Sequence, residues 1–260
     1  MIKIFQNILH CKKLYICSVC KKKVDTFIPL PEQYRGKVLI NHTEYLEAYK
    51  KAEMLNAEAY LCPHCGASDR ERFYVLFIEK FFLKHKDREE IKLVHFAPEK
   101  ALKNFLLTKK FQEYRTADLM MDDVDDKADL TNLHIYQSNH FNFLICSHIL
   151  EHIPDDISAI KELYRILKIG GMGIIIVPIL EGLENIYEDS NITSEEDRLL
   201  HFWQEDHVRI YNKKGFIERL SNVGFQVKEY GIKNFSKKVF NQYAISEKSI
   251  LYIVEKIGHD

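Results

Sequence analysis

From Asp69 onward the chain alternates short apolar runs with longer amphipathic stretches, and that alternation limits the fold more than any other feature. Strands read at Ile91–Ala97, Glu113–Leu119, Phe141–Ser147, Met172–Ile179, Phe225–Gly231 and Ile250–Ile257, with a further short one near Ala128–Leu130. Between them the helical period predicts helices over Arg72–Lys84, Glu99–Lys110 behind Pro98, Asp155–Lys168 and Lys213–Asn222. Gly170-Gly171 reads as the C-cap of the third of these. A strand, a helix and a strand in succession need a crossover, so neighbouring strands run parallel and helices cover both faces. Phe141–Ser147 (FNFLICS) has the near-continuous apolar character of a central strand. The expected class is α/β, a doubly wound, mostly parallel sheet.

The region before Asp69 is organised by cysteine. Cys17-Ser-Val-Cys20 and Cys62-Pro-His-Cys65 are two C-x-x-C pairs, and two such turns can supply the four soft ligands of a tetrahedral zinc ion. Compact sites of this kind separate their pairs by about 15–20 residues. The gap here is longer, and Glu44–Glu58 reads as a helix that fills it. Gly66 can take the positive φ that turns backbone amides toward the sulfurs. Disulfides are disfavoured in a cytoplasmic protein, and a thioredoxin-like dithiol needs one such pair beside a βαβ unit, not two. Cys11 and Cys146 stand apart from the pattern. The expected organisation is therefore a zinc-ribbon-like module over residues 1–68 and an α/β domain over 69–260, with a cap or loop inserted at 180–210.

Composition then removes several function classes. With 37 Lys+Arg against 38 Asp+Glu and 46% hydrophobic residues, the chain is neither disordered nor basic over its whole surface. After Gly66 the next glycine is Gly170, which excludes a G-x-G-x-x-G fingerprint and a P-loop in the first βα units. No run approaches the roughly 20 apolar residues of a membrane span. The start, MIKIFQNILHCKKLYIC, lacks an apolar stretch of signal-peptide length, so a cytoplasmic location is expected.

Three segments carry a resemblance: Leu93-Val-His-Phe-Ala-Pro-Glu99, Phe143-Leu-Ile-Cys-Ser-His-Ile-Leu-Glu-His-Ile-Pro154 and Leu163-Tyr-Arg-Ile-Leu-Lys-Ile-Gly-Gly171. In these the chain resembles class I S-adenosylmethionine-dependent methyltransferases from about Val94 to its end. Families with two N-terminal C-x-x-C knuckles ahead of such a domain look similar over the whole chain. The resemblance implies a seven-stranded Rossmann-like sheet whose final strand, Ile250–Ile257, is inserted antiparallel. It also implies S-adenosylmethionine as cofactor beside the structural zinc. Where such enzymes carry a Gly-rich first turn, this chain has His95-Phe-Ala-Pro-Glu99. Ala97 is small and Pro98 has a locked φ, which permits close approach, and Glu99 then lies near the cofactor's ammonium.

The same resemblance assigns site residues. Asp118, with Leu119 after it, falls where a carboxylate accepts both ribose hydroxyls. Asp129, followed by Leu130, falls where the adenine amino group is met. Cys146, Ser147 and His148 leave the fourth strand at the crevice end of the sheet and line the cofactor site. His148 and, in the run Trp203–Tyr211, His207 are the two general-base candidates, since histidine titrates near neutrality. Plainer readings of the same residues are a loop ordered by Glu151 and His152, and a salt-bridged loop that fixes the final helix.

Three functions stay open at this level. One is methyl transfer to a saccharide or another small hydroxylated or amine acceptor. A second is methylation of ribosomal or transfer RNA with the zinc module as clamp, motivated by Lys3, Lys12, Lys13, Lys21, Lys22 and Lys23 ahead of the first acid, Asp25. A third is a non-catalytic, zinc-stapled binding protein, motivated by the missing glycines.

Overall fold

A computed structural model describes residues 14–82 and 88–258; Cys11, Lys3, Lys12 and Lys13 lie outside them. The chain starts with two small antiparallel hairpins, β1 (Tyr15–Ile16) with β2 (Lys23–Val24), and β3 (Val38–Ile40) with β4 (Thr43–Tyr45). The helix expected over Glu44–Glu58 is absent. Strand β4 and 3-10 turns at Ala48–Lys51 and Ala57–Ala59 stand there instead. Glu47 takes a left-handed backbone, and the chain beyond it is committed to distant partners. Glu53 N donates to Ile179 O at 3.0 Å and Glu181 N to Lys51 O at 2.9 Å. Groups bonded across the fold cannot also close helical turns.

Helix α1 (Asp69–Phe77) begins with a capping box: Ser68 Oγ accepts from Glu71 N, and Glu71 Oε2 accepts from Ser68 N at 2.7 Å. It passes into a π turn at Ile78–Phe82, and the end of the helix expected as far as Lys84 lies outside the described residues. Strand β5 (Lys92–Phe96) follows, then α2 (Lys100–Leu107), β6 (Glu113–Asp118), β7 (Asp126–Lys127) and β8 (Phe141–Ser147). Next come α3 (Asp156–Ile166), β9 (Leu167–Ile176), β10 (Tyr187–Glu188), α4 (Glu195–Phe202) and β11 (Arg209–Ile210). The chain closes with α5 (Lys213–Val223), β12 (Phe225–Tyr230), α6 (Ile232–Phe235), α7 (Lys237–Gln242) and β13 (Leu251–Lys256).

The main sheet has seven strands in the order β12-β13-β9-β8-β5-β6-β7, and β13 runs antiparallel to both its neighbours. The doubly wound sheet with an inverted last inserted strand is the one expected. β8 sits between β5 and β9, with only Asn142 less than fully buried. Gly170-Gly171 is not a helix C-cap: α3 ends at Ile166 and Leu167 is already in β9. Phe141 pairs with Leu167 but Phe143 with Met172, so extra residues bulge out of β9 between these pairs. A Cβ on Gly171 would lie 2.8 Å from Lys168 O, which is why glycine stands there.

Residues 180–210 are a folded cap with elements of its own. β10 pairs antiparallel with β11, α4 lies between them, and Leu180, Phe202 and Ile210 form a small core with Val38, Ile40 and Ala48. The insertion and the second N-terminal hairpin thus fold as one cap after β9. The first knuckle region joins the main core, since Cys17, Val19, Val24, Phe27 and Cys62 belong to the same apolar cluster as the sheet.

Candidate active site

The two C-x-x-C turns have matching backbones. Lys21, after Cys20, has φ 62°, and Gly66, after Cys65, has φ 75°. Lys21 N donates to Cys17 O and Gly66 N to Cys62 O at 2.8 and 2.9 Å. The four sulfurs converge: Cys17 Sγ lies 3.7 Å from Cys65 Sγ and Cys20 Sγ 3.8 Å from Cys62 Sγ. These separations exclude disulfides, whose sulfurs are bonded at about 2.05 Å. They match the edge of a tetrahedron with metal–sulfur bonds of about 2.3 Å, roughly 3.8 Å. Burial pushes the Cys17 thiol up to about 12. Burial works against Cys62 too, but the amides of His64 and Cys65 outweigh it and pull its thiol down.

At the carboxyl end of β5, His95 is fully buried, with Nε2 2.8 Å from Glu99 Oε2 and Nδ1 3.0 Å from Tyr114 Oη. Phe96 and Pro98 are buried. Ala97 has φ 44°, a left-handed conformation that glycine adopts without cost, and its amide donates to Ala117 O at 2.9 Å. Glu99 stays outside α2 in an extended conformation. Burial works against its ionisation, but the hydrogen bond and charge of His95, with Arg70 beyond, hold its carboxyl below the ordinary value.

Asp118 ends β6, and its Oδ1 accepts from both Met120 N and Met121 N at 2.7 Å, which shapes the turn bearing exposed Leu119. Asp129 is not at the end of the third strand. β7 lies two residues earlier, at Asp126–Lys127, because Asp126 is held by Arg115 and Tyr136. Asp129 follows in a turn and accepts from Thr131 N at 2.8 Å, and Leu130 after it is buried.

The end of β8 carries the densest chemistry. Burial, with Glu151 and Glu99 nearby, pushes the Cys146 thiol well above its ordinary value. Ser147 Oγ meets Tyr74 Oη at 2.9 Å. His148 has φ 54° and Nε2 2.8 Å from Arg70 Nη1. A guanidinium only donates, so Nε2 is the acceptor and Nδ1, 3.2 Å from Glu151 Oε1, carries the proton. Burial and the Arg70 charge push this imidazole below the ordinary histidine value. The lone pair a general base needs is therefore engaged by Arg70. His207 lies behind this layer, 4% exposed, and its Nδ1 donates to Phe202 O at 3.0 Å.

Arg70 and Tyr74, both on α1, escape sequence reading because Asp69-Arg-Glu-Arg72 looks like an exposed, charged first helical turn. Its only signal is position, directly after the second knuckle. The guanidinium of Arg70 faces the crevice end of the sheet with its Nε buried and without a hydrogen-bond partner. The phenols of Tyr60 and Tyr74 and the carboxylates of Asp69 and Glu99 hold its charge against the pull of burial. In the run Trp203–Tyr211, Glu205 and Asp206 are exposed, whereas Arg209 is buried and donates to Leu150 O at 2.9 Å and Pro154 O at 2.8 Å. A cleft of about 520 Å³ opens along Ile179–Glu184 and Asn212–Lys214, with Glu53 at its wall.

A doubly wound sheet with an inverted penultimate strand in the spatial order, and a crevice lined from β5, β6 and β8, defines the class I, Rossmann-like methyltransferase architecture. The profile of the methyltransferase-domain family matches residues 52–230, more than two thirds of the chain, and the chain belongs to that family, whose members depend on S-adenosylmethionine. No curated protein matches the sequence. Among solved structures, an S-adenosylmethionine-dependent methyltransferase of Archaeoglobus fulgidus is 13% identical, with 73% of this chain and 95% of that chain covered and a TM-score of 0.46. A Haemonchus contortus phosphoethanolamine N-methyltransferase is 12% identical, with 77% and 56% covered and a TM-score of 0.48. A methyltransferase in complex with the Haloferax volcanii Trm112 activator is 14% identical, with 68% and 86% covered and a TM-score of 0.45. Among the described residues no helix is long and apolar enough to cross a membrane.

Proposed function

We propose that this methyltransferase acts on a saccharide or another small hydroxylated or amine acceptor held beneath the cap. The observation that carries the reading is the cap itself. Residues 180–210 and the β3–β4 hairpin share their own apolar core. Val208 N of this cap bonds Glu151 O at 2.9 Å, just beyond the end of β8. A folded roof there favours an enclosed acceptor over an open groove for a polymer. The N-terminal lysines give the RNA reading little support: Lys21 is paired with Glu79 at 2.6 Å, and a bare pair of exposed lysines is a common solvated face.

The residues suit the cofactor's amino-acid end. Arg70, with its unpartnered buried Nε, offers a donor for the carboxylate, and ionised Glu99 an acceptor for the ammonium. The left-handed turn at Ala97 brings bare backbone forward between them. We assign the ribose to Asp118, the adenine to the turns bearing Leu119, Asp129 and Leu130, and the wall to His95, Phe96, Pro98, Cys146, Ser147 and His148. S-adenosylmethionine supplies an already activated methyl group on a sulfonium. The chain's task is then alignment and exclusion of water. In this reading His148 orients through Arg70 and Glu151 and takes no proton, because its lone pair is occupied. We further propose that Cys17, Cys20, Cys62 and Cys65 hold a structural zinc.

Calorimetry with S-adenosylhomocysteine tests the cofactor site: binding is expected, and Asp118→Ala should weaken it at least about tenfold, the value of a lost charge-assisted hydrogen bond. Radiolabelled methyl transfer across a panel of saccharides, small amines and RNA tests the acceptor. Transfer to RNA alone would overturn the small-acceptor reading.

A further inference from the structure

One group of ligating side chains, two of them buried, has a role left open by the methyl-transfer site. Glu151, His152 and His207 each bring a ligating atom within 4.8 Å of the other two. Glu151 is 1% exposed, and the His148 Nδ1–H, a long 3.2 Å from Oε1, is the one donor facing it among the described residues, while Oε2 receives no hydrogen bond. A buried carboxylate with a single long neutral donor is costly unless a cation compensates it. Among the described residues no lysine or arginine pairs with it: Arg209, buried in the cap, is spent on Glu188 and on the carbonyls of Leu150, Ile153 and Pro154.

The two histidines are arranged as ligands are. His207 Nδ1 donates to the Phe202 carbonyl, which leaves Nε2 with its lone pair. His152 Nδ1 lies 3.1 Å from Asp206 Oδ2, and the two imidazoles meet edge to face at 4.6 Å. An outer carbonyl or carboxylate on the far ring nitrogen is the usual second partner of a metal-bound histidine. The two segments that carry the donors are also locked together. Val208 N bonds Glu151 O, and Arg209 clamps the turn at Leu150–His152. The donors are thus held in place without any ion.

We infer that Glu151, His152 and His207 form a divalent-cation site distinct from the four-cysteine cluster. Two imidazoles and one carboxylate suit a first-row ion such as Mn²⁺, Fe²⁺ or Co²⁺, with coordination positions left open. Thiolates hold zinc more tightly than this set, so one equivalent of zinc fills the cysteines first and leaves the second site free for titration.

The test is titration of the full, zinc-loaded chain with Mn²⁺, following the loss of the free-ion signal by electron paramagnetic resonance. One Mn²⁺ per chain is expected. Glu151→Gln and His152→Ala should each weaken binding at least about tenfold, whereas Asp122→Ala, in the exposed acidic loop, should leave it unchanged. Circular dichroism without Mn²⁺ checks that each variant folds; should Glu151→Gln fail to fold, the partly exposed His152→Ala carries the test. Absence of Mn²⁺ binding by the wild type, or equal binding by a folded His152→Ala, would overturn the site and leave Glu151 facing only the His148 Nδ1–H.

Discussion

Arg70 and Arg72 stand two residues apart on α1 and face different regions. Arg72 is fully buried, stacks over Phe27 at 3.9 Å and donates to the carbonyls of Ala59, Tyr60, Ala67, Tyr243 and Ala244. Every contact is with this chain, and together they tie the second knuckle to the C-terminal segment. Arg70 reaches the crevice, holds His148 with one nitrogen and leaves Nε buried and unpaired. The contrast separates structure from function: saturated buried charge holds the fold, and unsaturated buried charge waits for a ligand.

The largest expected effect tests the saturated side. For the zinc proposed at the four cysteines, Cys62→Ser should take the content from about one zinc per chain to none by elemental analysis. The stability lost should stay below the order of 10 kcal/mol that zinc supplies to isolated fingers, because the knuckles share the main core. Arg72→Met should cost at least about 4 kcal/mol in denaturant unfolding, since it orphans several buried carbonyls at once.

Arg70→Met should do the reverse. Unfolding free energy should move by less than about 1 kcal/mol, while affinity for S-adenosylhomocysteine falls about tenfold to a hundredfold, the range for a hydrogen bond to a charged group. A variant that unfolds without losing affinity would erase the distinction between the two arginines. At Ala97, valine should cost about 1–2 kcal/mol in thermal unfolding because a β-branched residue is strained at positive φ, and glycine should be neutral or slightly stabilising.

Glu53 is the intermediate case, buried and satisfied by one donor, Tyr252 Oη at 2.6 Å. Burial raises its carboxyl above the ordinary value, so the folded state holds the proton more tightly than the unfolded one. Its contribution to stability is therefore full below the ordinary carboxylate range and lost as pH rises through the raised value. Glu53→Gln should be more stable than wild type at pH 7, and the melting curves should converge as pH falls through the ordinary carboxylate range.

Much of this was legible without coordinates. Phe141–Ser147 is a strand with the bounds its apolar run predicts, and the two C-x-x-C pairs announce a four-cysteine cluster by their ligand chemistry, although the gap between them exceeds the compact pattern. The helix expected over Glu44–Glu58 failed because its backbone bonds go to Ile179 and Glu181, partners that no local period reveals. Asp129 slipped from the strand end because Arg115 and Tyr136 capture Asp126. Arg70 was missed because a charged residue in a first helical turn looks solvated until a sheet is packed against it.

The sequence by itself determined the alternation, hence the parallel sheet, and the set of soft donors, because hydrophobic period and ligand chemistry are local properties. Only the tertiary structure decided which charges were satisfied. Saturation is counted between groups far apart in the chain, as Arg72 and Tyr243 or Glu151 and His207 are, and burial alone makes an unpaired group costly enough to imply a ligand.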